Sequence, residues 1–263
     1  MSKIKIGTDS TADIPKPFCE ELNISVLPLS ILAGEKEYQD GVDITPSEFY
    51  RIIDESKELP VSSQVASVLY SELFEETWKA GYTDLIQVTL NSKGSGTYQA
   101  AVLSRDLFYE EHPEAKEQLA KAGVSAQEVI DHIEEWLAHS RPVFVTLDLR
   151  CVKKSGRISP AAAFVGDAVG LKPIITFENG DAKIVGKARG ARKAISALVE
   201  RCRKERRPGT NYAIVYGYNT EALEFLKEAC AQIMDKPPIA EYQVGCVISI
   251  NTGPNMIGIL YRT

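Results

Sequence analysis

Apolar positions along the chain keep two rhythms. Short β-branched runs alternate with stretches in which apolar residues return every three or four positions. Residues 4–8 predict a strand that stops at Asp9-Ser10-Thr11, a helix-capping cluster. A short helix is expected over 15–22, a strand over 24–32 and a polar turn or hairpin over 33–43. Thr45, with Glu48 three residues on, has the spacing of a capping box for a helix to about residue 56. Leu59-Pro60 breaks the chain, and Val61-Ser62-Ser63-Gln64 reads as loop. Helix over 65–79, strand over 84–90 (DLIQVTL), a Ser/Gly loop over 91–96 and helix over 97–111 follow.

The alternation then stops. Residues 114–121 and 125–138 are both helical in pattern, with no strand between them. Strand 143–147 resumes the order, followed by a basic loop over 148–156 and a small-residue helix over 159–169. Strands 172–177 and 182–187 flank Glu178-Asn179-Gly180-Asp181, a hairpin signature. Helix 191–206, strand 212–217, helix 221–234 and strands 239–243, 247–251 and 256–262 complete the chain. The class is α/β. A boundary near 139–142 divides it into residues 1–140 and 141–263.

Composition narrows the function. The 263 residues carry a net charge of −6, which disfavours nucleic acid as a partner because a binder needs a basic face for phosphates. Cys19, Cys151, Cys202, Cys230 and Cys246 are scattered and form no CxxC pair, so neither a disulfide framework nor a zinc site is expected. The start reads as a strand rather than a signal peptide, and no apolar run is long enough for a membrane span. The expected location is the cytoplasm.

Candidate chemistry lies in loops. Asn91-Ser92-Lys93-Gly94-Ser95-Gly96 runs from a strand into a helix starting at Thr97. Free N–H groups of a helix start, close-approach glycines and the hydroxyls of Ser92, Ser95 and Thr97 suit a carboxylate or a phosphate. The P-loop spacing is absent. Ser95 is either a helix cap or a ligand-holding hydroxyl, and the residues alone do not separate the two. Ser62 and Ser63 form a second hydroxyl cluster before a helix. Arg157 and Arg189 stand beside glycines in basic segments, and an Arg fork holds an anion well. Asn251-Thr252-Gly253-Pro254-Asn255 reads as a tight turn. The three histidines, His112, His132 and His139, lie in the polar helical stretch as surface residues, away from these loops, so no histidine base is at hand.

In this order the motifs resemble the DegV family, the fatty acid-binding subunits of bacterial fatty acid kinases. The matching stretches are IGTDSTADIP (6–15), Ser62-Ser63-Gln64, NSKGSGTYQAA (91–101), FVTLDLRCVKKSGRIS (144–159), KPIITFENGDAKIVGKARG (172–190) and NTGPNMIGI (251–259). The resemblance implies a two-domain DegV-like fold, with a Rossmann-like parallel sheet in 1–140 and a mixed α/β domain in 141–263. It implies a bound long-chain fatty acid such as palmitate, stearate or oleate, its carboxylate at Ser62 and Ser95 and its tail in an apolar tunnel. Ser63, Ser92, Gly96, Thr97, Arg157, Arg189 and Asn251 complete the implied binding set. The protein would then be a non-catalytic acyl carrier of phospholipid metabolism, without a cofactor. It would present the carboxylate to a separate ATP-dependent fatty acid kinase and contact the membrane transiently to exchange ligand. The alternatives are a phosphotransferase-like enzyme of the dihydroxyacetone kinase type and a divergent binder of another amphiphile.

The chain departs from the family pattern. Asn251 replaces a usual histidine, Ser155 and Asn255 replace glycines, and Val65 replaces a proline. Roughly thirty family residues, more than a strand plus a loop needs, have no counterpart between Gln118 and Leu119. Either the chain has lost them or the sequence skips them. Their loss would open the tail tunnel on one side.

Overall fold

The computed structural model describes residues 3–158 and 170–263; of residues 116–125 it describes the backbone alone. The helix expected over 159–169 lies outside the described residues.

Strands β1 (Ile4–Asp9), β2 (Ile24–Leu27) and β6 (Asp84–Val88) form a parallel sheet in the order β2-β1-β6. Helices α1 (Lys16–Glu21), α3 (Ser67–Lys79) and α4 (Thr97–Glu111) belong to this half. A small antiparallel sheet joins β3 (Leu29–Ala33) at its centre to β4 (Lys36–Gln39) and β5 (Val61–Val65). The strand expected over 24–32 is therefore two strands in two sheets. Pro28, which has no N–H to give to a ladder, marks the break. β5 was expected as loop. Its polar Ser62-Ser63-Gln64 carries no strand pattern, and the pairing of Ile31 with Ser62 and Leu29 with Val65 creates it.

Helix α2 (Pro46–Glu55) starts as expected: the Thr45 hydroxyl accepts from the Glu48 N–H, and the Glu48 carboxylate accepts from the Thr45 N–H at 3.0 Å. The two helical stretches after Pro113 are one continuous helix, α5 (Pro113–His139), about 40 Å long by its helical rise.

The second half is built on a six-stranded sheet in the order β11-β10-β12-β7-β8-β9. Its strands are β7 (Ser140–Thr146), β8 (Leu171–Glu178), β9 (Asp181–Arg189), β10 (Tyr212–Tyr216), β11 (Glu241–Gln243) and β12 (Met256–Arg262). Only the β10–β11 pair is parallel. The β8–β9 turn has left-handed Asn179 (φ 51°) and Gly180 (φ 81°), the pair of positive φ values a tight hairpin needs. Helices α7 (Ala191–Glu205) and α8 (Thr220–Ile233) cover one face with a core that includes Val145, Leu198, Ile214, Leu226 and Ile259.

Two short helices overturn sequence expectations. Residues 148–156 are not a basic loop. They form α6 (Leu149–Ser155), capped by the Asp148 carboxylate on the Arg150 N–H at 2.9 Å and ended by left-handed Gly156. The strand expected over 247–251 is α9 (Cys246–Thr252). Its β-branched residues favour a strand locally, but Cys246, Val247, Ser249, Ile250 and Thr252 are all buried, and Ser249 and Thr252 return their hydroxyls to Cys246 O and Ile248 O. Cys151, Cys246, Val247 and Ile250 join Leu29, Ile31, Phe49, Ile53, Val65 and Tyr70 in one core. Residues from both halves of the sequence thus share an interior. None of the five cysteines is in a disulfide.

Candidate functional site

The loop that follows β6 is held on three sides. From below, Asp9 at the end of β1 is almost wholly buried, at 1% exposure. Its carboxylate accepts from the Leu90 N–H at 2.6 Å and the Thr11 N–H at 3.0 Å, and takes the Thr11 hydroxyl. It is a cap, as its sequence setting suggests, but it also fixes the residue that leads into the loop. From the side, Thr97 is fully buried at the start of α4. Its hydroxyl lies 2.9 Å from Ser95 Oγ and accepts from the Val65 N–H of β5 at 3.4 Å. From the far side, Asn91 Nδ2 donates to Gly180 O at 2.6 Å and Lys93 Nζ pairs with Asp181 at 2.7 Å, so the loop docks on the β8–β9 hairpin.

These contacts bring the two serine clusters together. Thr97 ties the Ser95 loop to β5, which carries half-buried Ser62 and exposed Ser63. Gln64 lies against Gly96: a β-carbon added there would sit 2.1 Å from Gln64 Oε1, so this position tolerates only hydrogen. Ser92 is exposed on the loop and Ser95 is half-buried. Ser95 Oγ accepts from the Thr97 N–H at 3.3 Å, so it is a local turn former, without a capping bond further into α4. Asn251 lies on α9, which packs against β5, and its Nδ2 donates to Val247 O at 3.0 Å within the helix. It is not in a turn between strands.

The two arginines are not gathered with the serines. Arg157 is exposed and its guanidinium donates to Ser155 O at 2.9 Å. Arg189 is exposed at the end of β9, opposite Leu171. Nor is every histidine a bare surface residue. His112 is ion-paired with Glu75 and its ring lies 4.7 Å from that of Trp78 and 4.8 Å from that of Phe108.

An apolar cavity of about 370 Å³ lies between α3, β6, α4 and α5. Phe74, Trp78, Ile86, Val102 and Phe108 supply its greasy walls, and Ala115 and Ala126 of α5 close one side. Its lining reaches Thr89 and Tyr98, which stand just before and just after the Asn91–Thr97 segment. None of Ser62, Ser92 and Ser95 lines it, so the hydroxyls lie beyond its mouth. Sequence reasoning missed Gln87, which lines the cavity from the middle of β6. A glutamine inside DLIQVTL was the available signal.

Three acids gather beneath the loop region. Burial, and then the nearby charges of Asp40 and Asp9, push the Asp13 carboxyl up to about 8, against the pull of a hydrogen bond from the Gly245 N–H. Asp40 is raised in the same direction, again by burial first. The Tyr70 hydroxyl is held above its ordinary range by burial and by Asp9.

Known proteins agree with this architecture. The model of the DegV family, described as an uncharacterised protein family, matches residues 3–116 and 114–263. A DegV domain-containing protein of Caldanaerobacter subterraneus is 32% identical, the match covering 100% of this chain and 99% of the relative. That alignment runs over 283 positions, so at least twenty have no counterpart among the 263 residues here. A DegV domain-containing protein of Halalkalibacterium halodurans is 30% identical, covering 98% of each chain. Among solved structures, a stearic acid-binding protein of Eubacterium ventriosum superposes with a TM-score of 0.87 at 27% identity, over 100% of this chain and 98% of the other. The fatty acid-binding DegV protein of Bacillus subtilis gives 0.81 at 28% identity, over 99% of each. On the match of the family model to nearly its whole length, this chain belongs to the DegV family.

Proposed function

We propose that this protein is a fatty acid carrier. It holds a long-chain acid such as palmitate, stearate or oleate, with the carboxylate at the serine clusters and the tail in the cavity behind them. The observation that carries this reading is the apolar cavity whose lining runs up to Thr89 and Tyr98, the residues flanking the hydroxyl-bearing loop. The fatty acid binding of the Eubacterium ventriosum and Bacillus subtilis relatives supports it.

In this reading Ser95 and Ser62 donate to the carboxylate, with Ser63 and Ser92 at its exposed side. Gly96 keeps the backbone close, and Thr97 anchors Ser95 rather than touching the ligand. A carboxylate leaving water needs several donors. Each buried methylene adds about 0.8 kcal/mol, so roughly ten supply about 8 kcal/mol and dominate the affinity. Asn251, Arg157 and Arg189 belong to the face presented to a separate ATP-dependent kinase, which would convert the carboxylate to an acyl phosphate. Residues 1–140 hold the ligand and residues 141–263 carry this face. Catalysis is assigned to the kinase, and ligand exchange involves brief membrane contact.

Two measurements test this. Mass spectrometry of lipid extracted from the purified protein should find a long-chain acid. Ser95→Ala should weaken fatty acid binding by about 1–3 kcal/mol, the loss of a hydrogen bond to a charged group. An extract without acyl chains, together with unaltered binding in the variant, overturns the assignment. Incubation with ATP alone should give no acyl phosphate, and product should form only when the kinase is added.

A further inference from the structure

Gln87 sits at the fourth of the five positions of β6, where Leu85, Ile86 and Val88 surround it in sequence. Its side chain lines the apolar cavity, yet its Oε1 and Nε2 are both buried and both lack a hydrogen-bond partner. The fold makes room for this amide. Gln87 is the register partner of Gly7 on β1, and a β-carbon at Gly7 would lie 2.1 Å from Gln87 Oε1. A glycine at the centre of the sheet therefore accommodates a polar group that finds no mate in the protein. Burying an amide unpaired is costly, so a partner is expected to come with the ligand.

We propose that the acid preferred by this protein carries a hydroxyl group near the middle of its chain, bound by Gln87. A hydroxyl both donates and accepts, so one group satisfies the two amide atoms at once, donating to Oε1 and accepting from Nε2. The depth fits the middle of a tail. Gln87 stands four residues from Asn91, roughly 13 Å along the strand, and the cavity lining continues to Asp84, roughly 10 Å further on. A plain saturated chain would pass this point leaving both atoms unpaired. The inference rests on the fatty acid reading above and adds to it the class of acid.

The test is competition against a fluorescent fatty acid on the delipidated full chain, with 10-hydroxystearic acid and stearic acid as competitors. Wild-type protein is expected to bind the hydroxylated acid about tenfold more tightly, the discrimination one unpaired buried polar group provides. Gln87→Leu, which matches the apolar lining, is expected to bring the ratio to one or reverse it while keeping stearic acid binding. A wild-type ratio of one or below overturns the proposal whatever the variant does, and so does a preference that survives in Gln87→Leu. Failure of both acids to displace the probe would instead take down the fatty acid reading, and this proposal with it.

Discussion

Replacing Thr97 by valine keeps the shape of a fully buried side chain and removes its oxygen alone. Two interactions go with that oxygen: the 2.9 Å contact with Ser95 Oγ and the 3.4 Å bond from the Val65 N–H. A neutral hydrogen bond contributes about 1 kcal/mol net, and a buried N–H left unpaired costs about 1–3 kcal/mol. The Val65 bond is long, which places its share at the low end, so we expect a total loss of about 2 kcal/mol. Urea unfolding of the delipidated protein should then show a midpoint lower by roughly 1 M with an unchanged slope. Thr97→Ser keeps the oxygen and gives up a methyl group, so it should lose only about 1 kcal/mol. The valine variant should also bind fatty acid more weakly, because Ser95 and β5 are no longer tied to one another. If valine leaves the midpoint where it was, or serine proves the more damaging of the two, the Thr97 hydroxyl is not what couples the serine clusters.

Filling the cavity should act on ligand rather than on fold. Ala101→Phe puts a ring into space lined by Phe74, Trp78 and Val102, and should cut affinity for long-chain acids by tenfold or more without lowering the melting temperature; undiminished binding would move the tail elsewhere. The Asp13 carboxyl supplies a pH test. Its native value of about 8 lies above the ordinary 3.8, so between these values the native state holds a proton that the unfolded chain has released. Stability should therefore fall as pH rises from about 4 to about 8 and level off above. Asp13→Asn should flatten that slope in urea midpoints taken across the window, and an unaltered slope would remove Asp13 as its source.

Much of the local structure was legible in the chain. The capping box at Thr45 and Glu48, the turn through Asn179 and Gly180, and the passage from strand to helix through residues 91–97 all depend on residues within a few positions of one another. The candidate site was legible as chemistry, as hydroxyls and glycines at a helix start, but not as geometry. The sequence does not say that Val65 N–H meets Thr97, that Asn91 reaches Gly180, or that Arg157 and Arg189 stay at the surface.

By itself, then, the sequence determined the α/β class, the positions of most helices and strands, and the loop where an anion could sit. Each follows from periodicity and from the backbone preferences of Thr, Asn, Gly and Pro, which act over a few residues. Tertiary structure alone decided that Ser62-Ser63-Gln64 becomes a strand, that the β-branched run at 247–251 coils into a helix, and that Pro28 separates two sheets. It also created the cavity and left Gln87 facing it without a partner. A pattern of polar and apolar residues records how much surface a segment buries. Which distant segment buries it, and what space is left between them, depends on contacts that no local pattern encodes.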